Sequence, residues 1–152
     1  MEFESIKTVL LAITVLIILY IIFFKGGLSS QKLRFMISSL SVTLILILII
    51  ILKLHHFLRL QLSIPNTLTY FLTAIIFFLH FLYFRHEIIK TNFIILVLSI
   101  GFIFCAVLLD LLTDGKIITL PESDLIEEIF RIAGTGLWMF YYLNYSIKLR
   151  DL

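Results

Sequence analysis

Charge-free apolar runs follow one another along almost the whole 152-residue chain: Thr8–Phe24, Phe35–Leu52, Leu60–Phe84, Thr91–Leu109 and Ile132–Ile147. A helix rises about 1.5 Å per residue, so roughly 20 mostly apolar residues cross a bilayer core of about 30 Å. The first four runs meet that length. The fifth reaches it only with its flanks. The pattern predicts an all-α membrane protein, a bundle of five transmembrane helices forming one multi-pass domain over residues 1–152.

The helix boundaries follow from caps and breakers. The first helix is expected over Ser5–Phe24, ended by Lys25-Gly26-Gly27, whose glycines suit a left-handed cap. The second starts near Gln31, after the capping residues Ser29 and Ser30. It runs past its apolar core into an amphipathic extension, where Lys53, His56 and Arg59 recur at helical spacing before Pro65 stops it. Asn66 caps a third helix at about Thr67–Phe84, and Arg85-His86-Glu87 with Lys90 form a polar connection. Thr91 or Asn92 caps a fourth, which continues to about Leu112. Thr113-Asp114-Gly115 turns the chain. Thr119, Pro121 and Glu122 have capping-box spacing for a fifth helix, about Pro121–Lys148.

Composition agrees with this pattern. The chain is 61% hydrophobic and 14% charged, against roughly 45–50% and about 25% for soluble domains. A net charge of +2 without a basic cluster gives no reason to expect nucleic acid. The single cysteine, Cys105, rules out an internal disulfide. The acidic start, Met-Glu-Phe-Glu-Ser, is unlike the basic head of a cleaved signal, so the first helix is read as retained. An integral position in a bacterial cytoplasmic membrane is expected.

Orientation follows from Lys and Arg. A cytoplasmic C-terminus places Lys25, Lys32, Arg34, Arg85, Lys90, Lys148 and Arg150 inside, and Lys7, Lys53, Arg59, Lys116 and Arg131 outside, seven against five. The N-terminus is then outside. Trp138, Tyr141, Tyr142 and Tyr145 share one side of the last helix near its basic end, the spacing expected of interface anchors.

The candidate chemistry lies between Asp110 and Arg131. A polar cluster of Asp110, Asp114, Glu122 and Asp124 precedes Glu127 and Glu128, which stand four and three residues before Arg131 and can pair with it. If the membrane starts near Leu125, these last three groups sit at or inside its boundary, where ionisable residues are functional suspects. The plainer expectation is a solvated acidic helix start. Glu127-Glu128-Ile129-Phe130-Arg131 resembles the paired-glutamate motifs of CAAX-type intramembrane proteases, in which adjacent glutamates activate water. The resemblance covers five residues. The spacing to Arg131 is one short of Glu-Glu-x-x-x-Arg, and position 76 is Ile where the Phe-x-x-x-His motif would be expected. Membership would imply catalytic roles for Glu127 and Glu128.

His55 and His56 are expected at the outer surface, with His80 and His86 near the inner side, and His80 bonding to a neighbouring helix. That separation gives no shared metal or haem site, so no cofactor is expected. Gly101 and Cys105 on the fourth helix, with Ala133, Gly134 and Gly136 on the fifth, form small faces suited to a tight hairpin between the two, or else to contact between copies.

Three functions are compatible with this sequence. The first is a non-enzymatic accessory, sensor or assembly subunit of a membrane complex, its partners being the lipid bilayer and another membrane protein or itself. The second is a transport or channel subunit acting as an oligomer. The third is an intramembrane hydrolase using Glu127 and Glu128.

Overall fold

The computed structural model describes residues 2–25, 28–114 and 122–149. Among them are six helices: α1 (Glu2–Phe24), α2 (Ser30–Ile50), α3 (Leu54–Leu62), α4 (Asn66–Ile89), α5 (Phe93–Asp114) and α6 (Ser123–Lys148). Four of these, α1, α2, α4 and α5, are long and apolar enough to cross a membrane. The apolar runs set their lengths, and glycine, proline or polar residues separate them.

α6 is the hub of the bundle. Its buried positions, Arg131, Gly134, Thr135, Trp138, Tyr141, Tyr142 and Tyr145, recur every three or four residues and form one stripe. α1 and α5 pack along this stripe. On α1 the buried positions are Lys7, Leu11, Thr14, Ile18 and Ile21, a spacing of four and three that keeps one face toward its neighbours. On α5, Leu96, Ser99 and Ala106 are buried in the same register. The outward faces of the long helices carry Leu, Ile, Val and Phe, the surface that a helix offers to lipid.

α5 and α6 form the tight hairpin that the small residues predict, through only some of them. A Cβ added to Gly134 would lie 2.6 Å from Ile103 Cγ1 and 3.0 Å from the Ser99 carbonyl oxygen. Ser99 Oγ donates to the Gly134 carbonyl at 2.7 Å, so a hydroxyl holds the two backbones together where no bulkier side chain fits. Gly136 faces α1, with Leu10 Cδ1 3.9 Å from an added Cβ. Gly101 and Cys105 lie outside the hairpin: nothing stands within 4 Å of a Cβ at Gly101, and Cys105 is exposed. The seam uses Ser99 and Ile103 instead, because α5 turns that register toward α6.

Two boundaries differ from expectation. The amphipathic extension of the second helix is a separate element. Lys53 adopts a left-handed conformation (φ 47°) that ends α2, and α3 starts anew at Leu54. Ser63, also left-handed, closes α3 before Pro65. Conversely, the polar stretch after Phe84 does not leave the helix. The backbone kinks at Phe84 (φ −103°, ψ 16°) and α4 continues to Ile89, burying Glu87 and Ile88. The capping residues Thr119 and Pro121 lie outside the described part, and α6 starts at Ser123 behind a left-handed Glu122.

The four aromatic residues expected as interface anchors are core residues. Trp138 and Tyr142 are fully buried, and Tyr141 and Tyr145 nearly so. Trp138 Nε1 donates to Thr43 Oγ1 on α2 at 3.0 Å, and its ring lies 5.7 Å from Phe77 on α4. Tyr141 bonds Thr91 at 2.9 Å. A lipid belt and a core stripe need the same helical spacing. Here the stripe faces inward, because α6 is surrounded by α1, α2, α4 and α5.

Candidate functional site

At one end of the bundle the buried stripes change from apolar to ionic together. The stripe of α1 ends in Lys7, that of α5 in Asp110 and that of α6 in Arg131. Tyr70 arrives on α4. The helix directions bring the starts of α1, α4 and α6 and the last turns of α5 to the same level. Residues from position 7 to position 131 thus meet in one cluster.

Lys7 is completely buried, and its ammonium lies 2.5 Å from Glu128 Oε2. Arg131 forms an ion pair with Glu127 one turn earlier on α6. Its guanidinium also lies 3.9 Å from Glu128 Oε1 and 4.0 Å from Asp110 Oδ2. Tyr70 donates its hydroxyl to Asp110 Oδ2 at 2.5 Å. The planar five-donor fork of arginine explains why it occupies the centre: it can serve several carboxylates at once, which a lysine ammonium does less well. Two cations face three carboxylates, and each carboxylate has a cation or a hydroxyl within reach.

α3 closes the same end. His55 is buried rather than at the surface, its ring 5.0 Å from that of Tyr70. His56 is exposed as expected. Lys53 pairs with Glu4 of α1 at 3.1 Å on the outside of the cluster. The remaining acidic residues do not join. Glu122 and Asp124 are exposed, and the side chain of Asp114 lies outside the described part, as does Lys116.

The opposite, aromatic end is held by hydrogen bonds, an ion pair between Lys90 and the buried Glu87, and stacking. His80 Nδ1 and Ser38 Oγ are 2.8 Å apart, which is the interhelical use expected of this histidine. Phe35 and Phe84 pack against its ring, and Tyr145 lies against Phe35 in turn. Lys25 donates to the Ser146 carbonyl, and Lys148 to Asn92 Oδ1 at 3.2 Å. Among the described residues, no group of three His, Cys, Asp or Glu side chains is placed to hold a metal ion.

Both glutamates of the paired motif are engaged by cations. A glutamate that activates water needs a free carboxylate edge within reach of water and substrate. Glu127 is bound by Arg131, and Glu128 lies between Lys7 and Arg131. Two cavities among the described residues lie between α2 and α4, away from both.

Lys7 and Tyr70 are the members that the sequence did not reveal. The count of basic residues places Lys7 on the outer aqueous side. A signal was present, since Lys7 stands four, seven, eleven and fourteen residues before Leu11, Thr14, Ile18 and Ile21. On a helix apolar all round, nothing marks that face as the inner one.

Residues 5–145 match the model of one protein family, described as Domain of unknown function (DUF8692). The chain belongs to this family. Every residue of the ionic cluster falls within the matched segment. No curated protein and no solved structure matches the chain.

The cluster makes a direct prediction. Lys7→Met leaves the partly exposed Glu128 short of its principal partner and should cost about 1 kcal/mol, the low end of the penalty for an unsatisfied polar group. Adding Glu128→Gln should recover most of that loss, because a buried pair replaced at both ends is often neutral. A double-mutant cycle on unfolding in detergent measures this. Strictly additive losses would mean that the two groups are not coupled.

Proposed function

We propose that this chain is a five-span membrane protein, N-terminus outside and C-terminus cytoplasmic, that works as a non-enzymatic accessory, sensor or assembly subunit of a membrane complex. The fifth span is α6. Its 26 residues would extend about 39 Å, enough to cross. Its first turns are too polar for lipid alone, but Lys7 and Asp110 meet those charges from within the bundle. Exposed bases at the aromatic end, Arg34, Arg85, Lys90 and Lys148, support the orientation. Two of the bases at the other end, Lys7 and Arg131, are buried in ion pairs.

One observation carries the functional reading. The acidic groups that could have done chemistry are engaged in ion pairs within α6 and between helices, so the apolar outer surface is what the molecule offers to others. Blue-native electrophoresis and pull-down from mild detergent test this. The expected result is a discrete complex larger than the chain. A monodisperse chain with no stable partner contradicts it.

A further inference from the structure

A lipid-facing groove between α2 and α4, far from the ionic cluster, has the build of a binding site for a single phospholipid. On α2, Ser30, Arg34, Ser38, Ser41 and Ile45 follow one another at three to four residues and line one side. On α4, Ile76, His80 and Tyr83 line the other in the same way. Two adjoining open cavities make up the groove, about 500 Å³ in its apolar part and about 310 Å³ in its polar part, and Tyr83 and Phe84 border both.

The chemistry changes along its length as a lipid's does. Ser30, Gln31 and Arg34 line the polar part at the start of α2. Arg34 is exposed, and no acidic side chain among the described residues pairs with it. The apolar part is walled mainly by aliphatic and aromatic side chains. At its border His80 is nine-tenths buried. Its Nδ1 is taken by Ser38, and its Nε2 has no hydrogen-bond partner. From Arg34 to Ile45 the helix rises about 16 Å, close to the depth of one leaflet of a ~30 Å hydrocarbon core.

We propose that this groove binds one anionic phospholipid, its phosphate at Arg34 and Ser30 and one acyl chain lying between α2 and α4. Charge decides in favour of a net-anionic headgroup: the polar part presents a guanidinium with no acidic partner among the described residues, and such a lipid brings no cation of its own to compete for the phosphate. The site requires that the chain sit in a bilayer, but it does not depend on the subunit role or the orientation proposed above.

The test is native mass spectrometry of the full chain in detergent, titrated with dioleoyl-phosphatidylglycerol or dioleoyl-phosphatidylcholine. One equivalent of phosphatidylglycerol should bind in preference to phosphatidylcholine. Arg34→Gln should weaken phosphatidylglycerol about fivefold, the effect of one basic residue near an anionic membrane surface. Arg85→Gln, an exposed base at the same end but outside the groove lining, should leave that preference intact. Ser41→Trp, at an exposed position in the groove wall, should block the acyl chain and reduce both lipids. Equal binding of the two lipids by the unaltered chain would overturn the proposal. So would equal losses in the Arg34 and Arg85 variants, or undiminished binding by the Ser41 variant.

Discussion

Replacing Arg131 with Leu should cost roughly 3–5 kcal/mol, the largest loss expected from any single charged side chain here. Arg131 is buried and lies within 4.0 Å of Asp110, Glu127 and Glu128. Without it three partly buried carboxylates share one end of the bundle with Lys7 alone, and at least one is left uncompensated. Arg131→Lys keeps the charge but loses the fork, so its loss should be smaller. Trp138 is the chain's single tryptophan and is fully buried, so its fluorescence reports unfolding from the centre of the bundle. A loss below about 1 kcal/mol for Arg131→Leu, the scale of an exposed ion pair, would mean that the cluster is a solvated surface.

Enlarging Gly134 should be the second large effect. The neighbours of an added Cβ are Ile103 Cγ1 at 2.6 Å, the Ser99 carbonyl at 3.0 Å and the Ile103 nitrogen at 3.1 Å. Ile103 can rotate its side chain away, but the two backbone atoms can retreat only if α5 moves. Gly134→Leu should therefore push the hairpin apart and cost about 1–3 kcal/mol or more, as overpacked cores do. Gly101→Leu supplies the contrast. Nothing lies within 4 Å of a Cβ there, so only helix propensity acts, and stability should hold or rise by up to about 1 kcal/mol. Thermal unfolding in one detergent compares the pair. Equal losses would show that Gly134 is not at a close helix contact.

These two sites show what the residue pattern could and could not reveal. The long apolar helices were legible, because length and the absence of charge are one-dimensional properties. The pairing of Glu127 and Glu128 with Arg131 was legible too, since it depends on spacing within one helix. Which face of each helix turns inward was not. α1 and α5 are apolar on every side, so no periodicity singled out Lys7 or favoured Ser99 over Gly101. Trp138, Tyr141, Tyr142 and Tyr145 had the right spacing for either a lipid belt or a core stripe, and only the central place of α6 decides between them. The separation of α3 from α2 rests on a left-handed Lys53, a conformation that side chains seldom adopt and that leaves no mark in the residue pattern.

The ionic end also accounts for the unequal apolar lengths of the helices. α1, α2, α4 and α5 are apolar enough to cross a membrane unaided, whereas α6 begins with Asp124, Glu127, Glu128 and Arg131. Pairing with Lys7 and Asp110 lowers the cost of placing most of those charges at the bilayer boundary. On the five-span reading proposed above, the cluster lets a polar-headed helix serve as the centre of the bundle.

Whether α6 crosses is therefore the decisive question, and the sidedness of the two ends answers it. In a Cys105→Ser background, Glu4→Cys and Lys148→Cys place single thiols near the two ends of the bundle. A membrane-impermeant maleimide applied to sealed, oriented vesicles should label one of them and reach the other only after permeabilisation. Labelling of both from the same side would leave an even number of crossings, remove α6 from the membrane-spanning set and contradict the five-span bundle.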